Sequence, residues 1–188
     1  MEESPVEHLA GALDACGRLI VGIRPDQWAA ATPCPAWTVR DLVAHLVAGN
    51  RLFIGALGGE APDPSGAGAP DASAPAALVE GYRATVGPLL KAFAAPGVLQ
   101  RMVSVPFGTV PGIVALHLRI TETLVHGWDL ARATGQDARF PDDLVEQELA
   151  FTKPKLDAIP PDRSPFAPAK PIANDAPALD RLAAMLGR

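Results

Sequence analysis

Glu122 and His126 stand four residues apart in the segment Arg119-Ile-Thr-Glu-Thr-Leu-Val-His-Gly-Trp-Asp129, within a stretch of helical periodicity. Four helical residues advance about 400°, so the carboxylate and the imidazole emerge about 40° apart and one turn above each other. That spacing can chelate. With a third ligand from another helix it would hold a divalent metal and leave one coordination position open, as catalytic zinc sites built from two His and one Glu do. His45 is the candidate third ligand.

The same residues have a plainer reading. On this helix Ile113, Leu116, Ile120, Leu124 and Ala131 form an apolar stripe, with Arg119, Glu122, His126 and Asp129 opposite. Such a face can simply be solvated, with Arg119 pairing to Glu122 at i,i+3. Val114, Leu118, Val125 and Leu130 make the helix apolar around most of its circumference, however, and a narrow polar stripe in a buried helix needs partners. Spacing leaves metal ligation and ion pairing both open. His45 likewise sits to one side of the Val39, Leu42, Val43, Leu46, Val47 stripe, where a lone histidine can be a hydrogen-bonded boundary residue. His8 and His117 have no neighbour at ligand spacing. Trp37 and Trp128 are large apolar anchors first and pocket walls second.

The elements that must position these residues are helical. Ser4-Pro5-Val6-Glu7 reads as a capping box with proline at the first helical position, and Leu9, Leu13, Cys16, Ile20 and Ile23 recur at helical spacing to about Arg24. Two prolines in Ala31-Thr-Pro-Cys-Pro-Ala-Trp37 impose extended geometry, after which Thr38 and Asp41 cap a second helix from Val39 to about Leu57. Gly58 to Pro75 lacks periodicity and is expected to be a mobile surface loop, open to proteolysis. A third helix runs from about Ala76 to Ala94 with a kink expected at Pro88. Arg101 to Val110 suits a small hairpin, and the helix bearing Glu122 starts near Pro111 and stops at Gly135. A fifth helix covers Asp142 to about Ala158, and a proline-rich stretch from Pro160 to Pro177 leads to a last one at Leu179 to Leu186. Four long helices with intervening loops make a bundle whose facing helices can carry a metal site.

Composition bounds the function. The chain has 188 residues, 48% of them hydrophobic, and a net charge of -5. That length suits a single domain over 1–188, burying roughly 70% of its unfolded surface. The acidic balance argues against nucleic acid as a partner, and no secretory signal or membrane span is visible. Cys16 and Cys34 are expected to be free thiols in a reducing cytoplasm. Cys34, beside the start of the second helix, is either a thiol with a lowered pKa or a small buried apolar residue.

Together, Thr32-Pro-Cys-Pro-Ala-Trp-Thr-Val-Arg-Asp-Leu-Val-Ala-His45 and Glu122-Thr-Leu-Val-His-Gly-Trp-Asp-Leu-Ala131 resemble the two signature segments of the mycothiol-dependent maleylpyruvate isomerase-like metal-binding domains, part of the DinB-like four-helix superfamily. The resemblance spans most of the chain, whose ending from Ser164 is similar to that of short stand-alone members. It implies an all-α, DinB-like four-helix bundle with a short extended excursion and small C-terminal helices. It also implies that His45, Glu122 and His126 bind the metal, usually zinc in that family. The isomerase itself has a second, C-terminal domain for which this length leaves no room, so isomerase activity does not transfer directly.

The resemblance further implies a thiol-dependent transferase or isomerase, with mycothiol as the thiol and a small electrophilic substrate. Glu122 in place of a third histidine hardens the site towards Zn2+, Ni2+ or Mn2+ over copper(I). Asp129 would orient a ligand or accept a proton, and Arg119 would meet a substrate carboxylate; both fit structural ion pairs equally well. The rival reading is a non-catalytic metal or small-ligand binding module, one that could assemble through its helices as a homodimer. A metal-dependent hydrolase is the third.

Overall fold

The computed structural model describes residues 4–35, 37–60, 74–106, 108–158 and 166–188. Ser4 opens α1 (Pro5–Val21) with both halves of its capping box formed with Glu7. The helix stops at Gly22, short of Arg24, because Arg24 takes the extended geometry required ahead of Pro25, which begins a single 3-10 turn (Pro25–Gln27). Thr38 and Asp41 form the second capping box and start α2 (Val39–Gly58). α3 (Pro75–Phe93) keeps its helix through Pro88. The expected loop between α2 and α3 falls largely on residues 61–73, outside those described.

Met102–Val105 (β1) and Gly108–Pro111 (β2) pair antiparallel, in register Met102 to Pro111, as the small hairpin that the sequence suggested. α4 (Gly112–Thr134) follows directly and ends at the left-handed Gly135. α5 (Asp142–Asp157) and α6 (Ala178–Met185) complete the described elements. The result is an all-α fold carrying one small hairpin.

α1 and α2 each pack against both α3 and α4. Their apolar stripes, including Leu9, Leu13, Leu42, Leu46, Leu89, Leu116 and Leu124, are wholly buried. Apolar burial of this kind contributes about 1.5–3 kcal/mol per large side chain. It fixes the facing of α2 and α4, and therefore the relation of His45 to Glu122 and His126. α4 is the central element, because α5 and α6 pack on its outer side. Three of the four residues of its polar stripe are interior: Arg119 is 1% exposed, His126 5% and Asp129 0%. The solvated-face reading of α4 is thereby corrected: Arg119 lies against Gly49 and Phe53 of α2, His126 against His45 and Trp37, and Asp129 beneath Arg188, while Glu122 stays partly exposed.

Among the described residues no helix is long and apolar enough to cross a membrane.

Candidate metal centre

α2 delivers His45 and α4 delivers Glu122 and His126 to one place. His45 Nε2 lies 3.3 Å from Glu122 Oε2, and His126 Nε2 lies 3.7 Å from the same oxygen. One ligand atom from each of the three falls within 4.8 Å of the others. The two imidazoles meet nearly edge to face, with centroids 5.0 Å apart.

The turn before α2 roofs this cluster. An isolated bridge joins Ala31 to Thr38, and the Thr32 hydroxyl donates to the carbonyls of Cys34 and Trp37, closing the loop on itself. Trp37 is thereby held with its ring 4.4 Å from that of His45 and 5.7 Å from that of His126. It is a wall of the site. Proline spacing foretold that the segment before α2 is not helical, but carried no information on the turn it makes or on which way the indole points.

Asp129 lies one turn beyond His126, and its Oδ2 is 3.1 Å from His126 Nδ1. If Nδ1 donates its proton to Asp129, Nε2 is left with a bare lone pair, which faces the Glu122 carboxylate. Two electron-rich groups at 3.7 Å repel unless a cation or proton lies between them, so the donor set fits a divalent metal. A carboxylate behind a ligating histidine is also the usual outer arrangement at such sites.

The electrostatics of Glu122 are unusual. Burial alone would raise its carboxyl, but the hydrogen bond with His45 and the fields of His126 and Arg119 outweigh that and hold it down at about 2. A carboxyl depressed on folding stabilises the fold above its ordinary value of 4.5, and that contribution is lost as pH falls towards about 2. Glu122→Gln in metal-free protein should therefore lower stability at neutral pH and flatten its decline between these two values. Denaturant titrations across this range check it; an acid limb as steep as in the unsubstituted protein would contradict it.

Arg119 reaches in from one turn below Glu122. Its guanidinium lies 5.8 Å from the centre of the Phe53 ring, Nη2 is 3.5 Å from Thr123 Oγ1, and Nε has no hydrogen-bond partner among the described residues. Nη1 rests against Gly49, where a Cβ would collide with it. The two thiols stand outside the ligand cluster. Both are free; burial pushes Cys16 up to about 11 and also raises Cys34, so the helix terminus does not activate Cys34.

Arg188 escaped the sequence reading. Its Nε donates to both oxygens of Asp129, at 3.2 and 3.1 Å, across 59 positions of chain. Gly187 ahead of it signals a helix cap, but no local pattern names the partner.

Comparison with known proteins gives the family and the fold. A family model described as the mycothiol maleylpyruvate isomerase N-terminal domain matches residues 9–131, which include all three candidate ligands. Two uncharacterized proteins of Mycobacterium tuberculosis, from different strains, are each 37% identical over 180 residues, covering 94% of this chain and 93% of their own. Crystal structures of the mycothiol-dependent maleylpyruvate isomerase share the fold, with TM-scores of 0.59 for the enzyme and 0.62 for a histidine-to-alanine mutant. Their identities to this chain are 20% and 21%, and each alignment covers 77% of this chain and 67% of the other. With the family model spanning most of the bundle, the chain belongs to the mycothiol maleylpyruvate isomerase N-terminal domain family.

Proposed function

We propose that the protein is a divalent-metal-dependent thiol transferase or isomerase, in which a low-molecular-weight thiol of the mycothiol kind attacks a small electrophilic substrate. The observation that carries this reading is the convergence of His45, Glu122 and His126 beneath Trp37. Family membership supports the choice of thiol. A zinc-like cation, when bound, supplies the positive charge that converts a coordinated thiol to its nucleophilic thiolate.

The chain's own residues prepare for that ligand. Glu122 and Asp129 carry two negative charges, and Arg119 and Arg188 carry two positive ones, so the immediate protein charges balance. The charge of a divalent metal is then left for an anionic ligand to compensate, which favours a thiolate. The side chains of His45 and Glu122 are 19% and 22% exposed while that of His126 is 6% exposed, so a ligand approaches from the side of the first two. From their placement, Asp129 acts by orienting His126, and Arg119 acts by offsetting the charge of Glu122 from inside the bundle. Zn2+, Ni2+ and Mn2+ suit this donor set better than copper(I). A cytoplasmic setting, where such thiols are kept reduced, completes the reading.

Mycothiol added to cobalt-substituted protein tests it. The expected result is a sulfur-to-cobalt charge-transfer band that survives in a Cys16→Ser, Cys34→Ser double variant, because neither cysteine belongs to the ligand cluster. A cobalt spectrum indifferent to mycothiol would leave a non-catalytic binding module as the account. Turnover without any thiol would point to a hydrolase.

A further inference from the structure

We propose that Arg188 is a positioning residue of the metal centre, acting through Asp129 on His126, and that the C-terminal cap of α6 is what places it. The inference rests on the metal reading above and concerns residues beyond the 9–131 matched by the family model.

The placement begins in the sequence Ala183-Ala-Met-Leu-Gly-Arg188. Gly187 takes the left-handed conformation, at φ 79°, which residues with a side chain rarely adopt. Its N–H bonds to the Ala184 carbonyl at 3.0 Å, and the N–H of Arg188 bonds to the Ala183 carbonyl at 2.9 Å. These are the two reversed hydrogen bonds of a Schellman cap, so the direction in which Arg188 leaves α6 is fixed by backbone geometry. Space reinforces the choice of glycine, because a Cβ on residue 187 would lie 2.6 Å from the Ala167 oxygen and 2.7 Å from the Ala167 Cβ.

α6 is itself locked to the ligand-bearing helix. Asp180 accepts from the Trp128 indole at 2.6 Å and from Arg132 at 2.8 Å, while Leu182, Ala183 and Leu186 are buried beneath it. Arg188 therefore approaches Asp129 from a rigid element. Asp129 is wholly buried, and a buried carboxylate requires compensation of its charge and lone pairs. Arg188 Nε provides it at both oxygens, leaving Oδ2 fixed opposite His126 Nδ1. The imidazole is then held with Nε2 towards Glu122 and His45. Without Arg188, Asp129 must relax towards other partners, and the ring it steadies loses its orientation.

The experiment measures Zn2+ affinity by chelator competition, and the visible spectrum of the Co2+ form, on the full chain. Arg188→Ala is expected to weaken binding by up to about 10–100-fold, the cost of losing the partner of the ligating histidine itself, and to alter the cobalt bands. Arg188→Lys, which keeps a donor, should recover part of the loss. Gly187→Ala, which keeps the arginine but disturbs its cap, should reproduce part of it. Arg132→Ala is the control, since it loosens the α6 contact without touching Asp129; circular dichroism establishes that each variant is folded. Unaltered affinity and spectrum in folded Arg188→Ala would overturn the inference while leaving the metal centre standing. Equal losses in Arg132→Ala would also overturn it, by assigning the effect to α6 docking alone. If the unsubstituted protein bound neither metal, the metal reading itself would fall and this inference with it.

Discussion

His45→Ala should strip the protein of its divalent cation and leave its helices intact. The neighbours of His45 on α2 explain why the two properties separate. Leu42, Val43, Leu46 and Val47 are essentially buried and hold α2 against α3 and α4, whereas His45 is only partly buried at the edge of that stripe. Losing its imidazole removes one of three converging donors but little of the packing. The loss of affinity should exceed the 10–100-fold that outer partners typically cost. Elemental analysis after dialysis gives the stoichiometry, and circular dichroism gives the helix content. Unchanged metal content would remove His45 from the ligand set. A second readout follows from mass action: a ligand at 100 times its Kd stabilises the folded state by about 2.7 kcal/mol. Added Zn2+ should thus raise the Tm of the unsubstituted protein and leave that of His45→Ala almost unmoved.

The elements of the bundle were legible because local chemistry determines them. Two capping boxes, the prolines around Cys34, the hairpin residues around Pro106 and the glycine after Thr134 each act within a few residues of their own position. The i,i+4 relation of Glu122 and His126 is of the same local kind. Whether the polar stripe of α4 was solvated could not be read locally, since the answer depends on α2 facing it and on Arg188, after α6, meeting Asp129. The partners that complete the site are distant in sequence for the same reason. Arg188 meets Asp129 only because a helix cap and the Asp180 contacts aim it there. The direction of the Trp37 ring depends on a loop closed by Thr32. Periodicity reports which face of an element is apolar; it does not report what a long side chain finds after elements dock.

Glu148 shows this limit most sharply and carries the other large expected effect. Sequence spacing gave His117 no neighbour, yet its Nδ1 lies 2.7 Å from Glu148 Oε1, contributed by α5. The second carboxylate oxygen accepts from the Thr121 hydroxyl at 2.9 Å, and Thr121 also lies 3.3 Å from the Thr152 hydroxyl. Glu148 is wholly buried, and the His117 ring stacks on Phe151 with centroids 4.2 Å apart. One carboxylate thus joins α5 to the outer face of α4 through a satisfied polar network. Glu148→Ala leaves the His117 and Thr121 donors without their acceptor and opens a void, which together should cost about 3 kcal/mol. For a chain of this size that corresponds to a fall in Tm of roughly 6–12 °C. Zinc stoichiometry of the folded variant should persist, because His45, Glu122 and His126 are held by α2 and α4. Calorimetry and metal analysis on the same samples check both halves. A Tm within about 2 °C of the unsubstituted protein would show that the network contributes little, since the predicted cost converts to a far larger shift. The pair of substitutions therefore separates two functions of α4: on one side it binds the ligand cluster, and on the other it anchors the helix that covers it.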